Sequence, residues 1–175
     1  EEFANILDHA EFALSVNDDA RGNITRYDSK LYFKIIAGNT LEIELAKALD
    51  NNELVLYYQP KINLANGKVF GVEALIRWIK PDGTIIPPNY FIPVAEKSLL
   101  ITRISDFVLH ESCRQNKAWQ NAGLPKITVS INLTSVDFYQ TDVKDSISTA
   151  LQESGLDAEW LEVELTESLA LKDIE

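Results

Sequence analysis

The chain of 175 residues has little of what many binding and catalytic sites require: one cysteine, two histidines and no methionine. Because Cys113 stands alone, a disulfide framework and a site built from several thiolate ligands are excluded. His9 and His110 both lie in segments with a helical pattern, so we expect neither a zinc site nor a histidine-based catalytic triad. The shortage of cysteine indicates a cytoplasmic setting.

Long hydrophobic runs are also missing. No stretch of about 18 apolar residues occurs, so we expect no membrane contact within this chain. The chain does not open with a charged and then apolar signal segment. Attachment of a larger parent protein to the inner membrane through upstream segments stays open.

Positive charge is scarce, with 16 lysines and arginines against 27 acidic residues and a net charge of −11. Such a surface repels duplex nucleic acid, whose binding depends on neutralising phosphates. A small anionic ligand is still possible, because a divalent cation or an arginine can reverse the field inside one pocket. The hydrophobic share of 46% is typical of a globular core.

The first fifty residues predict two helices around a short extended segment. Residues 3–16 carry an apolar helical stripe, and residues 24–36 are strand-like. Thr40 is a suitable N-cap for a second helix, which Asp50 and the two asparagines after it would end. This second helix, over 40–52, is predicted to link two regions of different character.

Beyond residue 53 the pattern becomes β-rich. Residues 54–60 and 69–78 are joined by a loop that contains Asn66-Gly67, which predicts an antiparallel pair. The prolines and glycine of residues 81–88 predict a long loop. The elements predicted next are a helix over 98–121, a strand over 127–133, a helix over 142–154 and a strand over 160–166. From residue 69 on, this order indicates parallel strands with crossover helices.

These elements predict an α/β fold that is the N-terminal part of a (β/α)₈, TIM-like barrel with an antiparallel first strand. Such a barrel needs about 250 residues, and only about half of that number follows Glu53. We therefore expect a truncated barrel. Its uncovered edge at 160–166 should associate with another copy or with a complementary fragment.

Side chains alternate between the two faces of a strand, so position parity sorts them. Three strands each combine an apolar face with a largely polar one, which carries Glu73, Leu75 and Arg77, then Asn132, then Glu164. A polar side that meets water would explain this for antiparallel strands. Parallel strands are normally covered on both faces. A polar cavity at their carboxyl ends is therefore the favoured interpretation.

Two carboxylates and an amide oxygen on that face, from Glu73, Glu164 and Asn132, are hard ligands. They suit Mg²⁺, Mn²⁺ or Ca²⁺ better than zinc. Arg77 lies on the same face as Glu73, where its guanidinium could meet an anion such as phosphate. The spacing alone suggests a metal site without requiring one.

Five blocks in a fixed order carry a family resemblance. They are Tyr57-Tyr58-Gln59-Pro60, Glu73-Ala74-Leu75-Ile76-Arg77-Trp78, Phe91-Ile92-Pro93-Val94-Ala95-Glu96, Val129-Ser130-Ile131-Asn132-Leu133 and Glu164-Leu165-Thr166-Glu167-Ser168. Over about residues 53–175 the chain resembles the EAL domain family, the cyclic di-GMP-specific phosphodiesterases. The resemblance implies that Mg²⁺ or Mn²⁺ activates water for in-line attack on a phosphodiester, which gives linear pGpG.

The resemblance also assigns roles to single residues. Glu73, Asn132 and Glu164 match metal ligands of the family. Gln59, Leu75 and Arg77 match positions that contact cyclic di-GMP. Glu167 matches the glutamate that steadies a nearby active-site loop, and it is not the general base.

The family's Asp-Asp-Phe-Gly block, its catalytic lysine and a later glutamate would come after Glu175. We therefore expect the 175 residues alone not to hydrolyse cyclic di-GMP. Two alternatives stay open: a degenerate EAL domain that binds cyclic di-GMP as a regulatory receptor, and a structural fragment without ligand affinity.

The segment before the linker helix has a resemblance of its own. The helix with the run His9–Leu14, followed by Gly22 and Tyr27, is similar to the tail of a GGDEF domain, the diguanylate cyclase fold. An unrelated helical extension is the alternative. The expected organisation is a GGDEF-like remnant over 1–39, the linker helix over 40–52 and the N-terminal half of an EAL domain over 53–175.

Overall fold

The computed structural model describes residues 29–134, 137 and 142–165. The chain divides into two compact units, residues 1–44 and 45–175, which are treated separately. The elements in chain order are helix α1 (Ser29–Asp50), strands β1 (Leu54–Ile62), β2 (Val69–Ile79) and β3 (Ile85–Ile86), helices α2 (Pro88–Lys97) and α3 (Leu100–Asn121), strand β4 (Thr128–Leu133), helix α4 (Val143–Ser154), a 3₁₀ turn (Ala158–Trp160) and strand β5 (Leu161–Leu165).

Helix α1 begins earlier than the sequence pattern predicts. The segment 24–36 is helical from Ser29 onward, so the predicted strand is wrong there, and Thr40 lies inside the helix instead of capping it. Aromatic and β-branched residues give this segment strand propensity, but such propensity is a weak preference that context overrides. The predicted end of the helix is confirmed, with Asp50 as its last residue. The helix predicted over 3–16 lies outside the described residues.

The first two strands form the predicted antiparallel hairpin. Leu54 pairs with Trp78, and Gln59 pairs with Glu73. In the connecting loop Gly67 has φ 67°, a left-handed conformation that favours glycine. Its amide donates to the carbonyl of Asn63 at 2.8 Å.

The remaining long strands are parallel, as the alternating pattern predicted. The sheet order is β1-β2-β4-β5. The short strand β3 pairs antiparallel with the end of β2, at Trp78 and Ile79. β4 runs parallel to both β2 and β5. Helices α2 and α3 connect β2 to β4, and α4 connects β4 to β5. This mixed sheet confirms the α/β class and the antiparallel first strand.

Helix α2 corrects the prediction of a long loop before residue 98. Pro88 occupies one of the first helical positions, where a missing backbone N–H breaks no intrahelical bond. The proline pair therefore marks the start of a helix as well as the end of a loop. Leu99, with φ 61°, separates α2 from α3.

The apolar face of the sheet and the helices form the core of the second unit. Val129 and Ile131 in β4 are fully buried, and Trp78 in β2 is 1% exposed. The Trp78 ring meets Phe91 of α2 edge to face at 5.9 Å between centroids. Cys113 of α3 is also buried, as expected for a small apolar residue. Within the described part of the chain, no helix combines the length and apolar character needed to cross a lipid bilayer.

Candidate metal and nucleotide site

The polar face of the same strands brings the predicted ligands together. The amide Nδ2 of Asn132 donates to Oε1 of Glu73 at 2.8 Å. Asn132 also pairs in register with Glu164 of the next strand. Glu73 and Glu164 are half-buried and Asn132 is exposed, so this group lies where solvent and a ligand can reach it.

The residues predicted to contact a nucleotide lie on β1 and β2, the hairpin that carries Glu73. Gln59 is exposed and lies opposite Glu73 in the hairpin. Leu75 and Asn132 help to line a cavity of about 180 Å³ between β2, α2 and α3. The backbone register thus places Gln59 beside Glu73 on the neighbouring strand and Leu75 two residues further along β2.

Arg77 lies at the carboxyl end of β2. Its Nη1 donates to the carbonyl of Ile76 at 2.7 Å, and its guanidinium carbon lies 5.8 Å from the centroid of the Tyr57 ring. An arginine over an aromatic face is held by a cation–π attraction while the edge of its guanidinium still offers donors. Arg77 is therefore oriented locally, by β1 and β2.

Lys61 is a member of this polar face that the sequence interpretation missed. Its Nζ donates to Ser130 Oγ at 2.6 Å, to Glu162 Oε2 at 3.1 Å and to Glu164 Oε1 at 2.5 Å. The bond to Glu164 is the main cause of a raised pKa of Lys61. Ser130 donates to Glu162, and this bond, followed by the one from Lys61, lowers the pKa of Glu162.

The donors of this face fit a hard divalent cation as part of a coordination shell. Glu73 and Glu164 offer carboxylate oxygens and Asn132 an amide oxygen, which Mg²⁺ and Mn²⁺ accept. Across residues 29–134, 137 and 142–165, no three His, Cys, Asp or Glu side chains group closely enough to hold a metal by themselves. The three donors would thus need water or other ligands to complete six-fold coordination. Glu167 lies outside the described residues.

This α/β chain with its mixed sheet is similar in sequence and in fold to proteins of one family. Residues 42–175 match the family model described as EAL domain. The chain is 41% identical over 130 residues to the bifunctional diguanylate cyclase/cyclic di-GMP phosphodiesterase MucR of Pseudomonas aeruginosa. The aligned region covers 74% of this chain and 19% of that protein. It is 31% identical over 176 residues to the cyclic di-GMP phosphodiesterase NbdA of the same organism. This second aligned region covers 100% of the chain and 22% of that protein.

The fold agrees with these sequence matches. A solved structure described as PaMucR phosphodiesterase in complex with c-di-GMP superposes with a TM-score of 0.73 at 40% identity, over 77% of this chain and 54% of that one. The chain therefore belongs to the EAL domain family. Its mixed sheet is part of the family's TIM-barrel fold, as predicted, and the chain spans about half of the solved domain and about a fifth of the curated relatives.

Proposed function

We propose that this chain provides the first half of a metal-dependent phosphodiesterase site that hydrolyses cyclic di-GMP to pGpG. The observation that carries the proposal is the contact of Asn132 with Glu73 beside Glu164, on the sheet face opposite the core. Family membership supports the substrate, because the relatives are described as cyclic di-GMP phosphodiesterases.

In this proposal the polar face holds the cation and orients the nucleotide. Glu73, Asn132 and Glu164 would hold Mg²⁺ or Mn²⁺, and the bound ion would activate water and neutralise charge for phosphodiester hydrolysis. Gln59, opposite Glu73 on β1, and Leu75, further along β2, contact the dinucleotide, and the guanidinium of Arg77 binds a phosphate oxygen. Glu167 supports the active-site loop.

The test compares binding and turnover of cyclic di-GMP in the complete domain that carries this sequence and in the 175-residue chain. With Mn²⁺ present, we expect the complete domain to bind cyclic di-GMP and release pGpG. Binding without pGpG would favour the alternative, a degenerate EAL domain that acts as a receptor. Absence of both binding and hydrolysis in the complete domain would contradict the proposal.

For the 175 residues alone we expect no measurable hydrolysis, because the relatives' domain is about twice as long. We also propose that the outer edge of β5, which pairs with no further strand among the described residues, lets this chain associate with another copy or with a complementary fragment. Sedimentation as a monomer of 19.7 kDa would contradict the association. The cytoplasmic location and the GGDEF-like remnant over 1–39 stay predictions, and that segment lies largely outside the described residues.

A further inference from the structure

Lys61 contacts strands that are not its neighbours. It belongs to the edge strand β1, whereas its three partners lie on β4 and β5, the third and fourth strands of the sheet. On a flat sheet β5 would lie three strand spacings, about 14 Å, from β1. A direct bond between Lys61 and Glu164 therefore requires the polar face to be concave, and the side chain spans that concavity.

The ammonium group of Lys61 has an acceptor for each of its N–H donors. A lysine has three N–H donors, and the oxygens of Ser130, Glu162 and Glu164 each accept one. Ser130 is fully buried and the Lys61 side chain is only a quarter exposed, so the group is fixed more firmly than a surface lysine. One positive charge here faces two carboxylates that project from the same side of β5.

We propose that Lys61 is a positioning residue whose ammonium group acts as a built-in cation. It fixes Oε1 of Glu164 by a hydrogen bond and excludes a metal ion from the space between Glu162 and Glu164. The second oxygen of Glu164 is then left for the cation at Glu73 and Asn132. This role rests on the proposed function only where it assigns Glu164 to that cation. The bracing of the concave face by Lys61 stands without it.

The test uses Lys61→Met in the 175-residue chain, which removes the charge and keeps the length, with Lys61→Arg as the conservative variant. Lys126→Met is the matched control, because Lys126 is over half exposed and its Nζ makes only loose contacts, 4.0 Å from Oδ2 of Asp157 and 5.7 Å from the centroid of the Trp160 ring. Exposed contacts of this kind contribute little to stability. In EDTA we expect Lys61→Met to lower Tm by at least about 3 °C. Lys126→Met should leave Tm unchanged, and Lys61→Arg should recover most of the loss.

The second readout separates a built-in cation from ordinary packing. Excess Mn²⁺ should restore at least half of the Tm lost in Lys61→Met and raise the parent by clearly less, because a metal ion can then bind Glu162 and Glu164. If Lys61→Met does not fold, Lys61→Gln, which keeps a donor to Ser130 without the charge, serves in its place. An unchanged Tm in EDTA, or an equal Mn²⁺ response in parent and variant, would overturn the inference.

The outcome of this test can be distinguished from the outcome of the test of the proposed function. If cyclic di-GMP neither binds nor is hydrolysed, the proposed function fails, yet the Mn²⁺-dependent rescue of Lys61→Met would still support the built-in cation. If rescue is absent while the complete domain releases pGpG, only the role of Lys61 is overturned.

Discussion

The two faces of the central sheet are formed by the same strands but differ in burial and in the contacts of their side chains. On the core face, Trp78, Val129 and Ile131 are at most 1% exposed, and the Trp78 ring contacts Phe91 of α2. On the other face, Glu73 directly follows the buried Val72 and Asn132 directly follows the buried Ile131, yet both remain accessible to solvent and are hydrogen-bonded to each other. Burial therefore characterises the first face, and hydrogen bonds between polar side chains characterise the second. Substitutions on the core face should therefore mainly lower stability, whereas substitutions on the polar face should mainly weaken metal binding.

The largest loss of stability is expected on the core face, from Trp78→Ala. The ring contacts Phe91, and its Nε1 donates to Glu53 Oε2 at 3.0 Å. We expect a loss of about 3–5 kcal/mol in the free energy of unfolding, from the cavity and the lost bond. Urea denaturation measures this, with the exposed Tyr90→Ala as control. An equal effect of the two substitutions would break the distinction between core and surface.

A smaller loss is expected where two strands approach closely. A Cβ added at Gly71 would lie 2.5 Å from Oγ1 of Thr128 in the neighbouring strand. We expect Gly71→Ala to cost about 1–3 kcal/mol through overpacking. Adding Thr128→Ala should restore part of the loss, because the backbone carbonyl of Thr128 would still lie 3.2 Å from the new Cβ. A double-mutant cycle measures the recovery, and simple additivity of the two losses would contradict this account.

On the polar face, Asn132→Ala should leave stability nearly unchanged and weaken metal binding. The side chain is exposed, so its removal costs within about 0.5 kcal/mol of folding stability. The loss of one ligand should reduce Mn²⁺ affinity at least about tenfold, or about 1.4 kcal/mol. Calorimetry with Mn²⁺ measures the affinity, with the exposed Asn121→Ala as control. Equal Mn²⁺ affinity in the parent and both variants would remove Asn132 from the site.

The smallest expected effect concerns alkaline pH. Burial raises the pKa of the Cys113 thiol from 9.0 to about 11. The neutral thiol is thus favoured in the folded chain, and its contribution is complete below pH 9 and is lost as pH rises toward 11. Comparing the parent with Cys113→Ala between pH 8 and 11 should show a steeper loss of stability in the parent. Parallel pH profiles would indicate that the thiol is not desolvated.

Strand parity explains why much of this arrangement could be predicted. A period of two residues fixes which side chains share a face, so Glu73, Asn132 and Glu164 could be grouped without coordinates. The Asn66-Gly67 turn predicted the hairpin for a similarly local reason. The crossover order then predicted parallel strands. These features depend on short-range geometry, which the sequence carries directly.

The missed features depend on context. Lys61 shares the parity of Gln59 along β1, which was an available signal, but its partners come from two strands far along the chain. Only the curvature of the sheet brings them into contact. Helix α2 was missed because prolines occur both in loops and at the first position of helices. Thr40 has the side chain of an N-cap, and its neighbours continue the helix past it.

The most direct test of the central claim is the release of pGpG from cyclic di-GMP by the complete domain with Glu73 and with Glu73→Gln. The substitution keeps the shape of the side chain and removes the charge that would bind the cation. With Mn²⁺ present, we expect the parent to form pGpG and the correctly folded variant to form almost none. Hydrolysis by Glu73→Gln at the rate of the parent would contradict a metal site on this face.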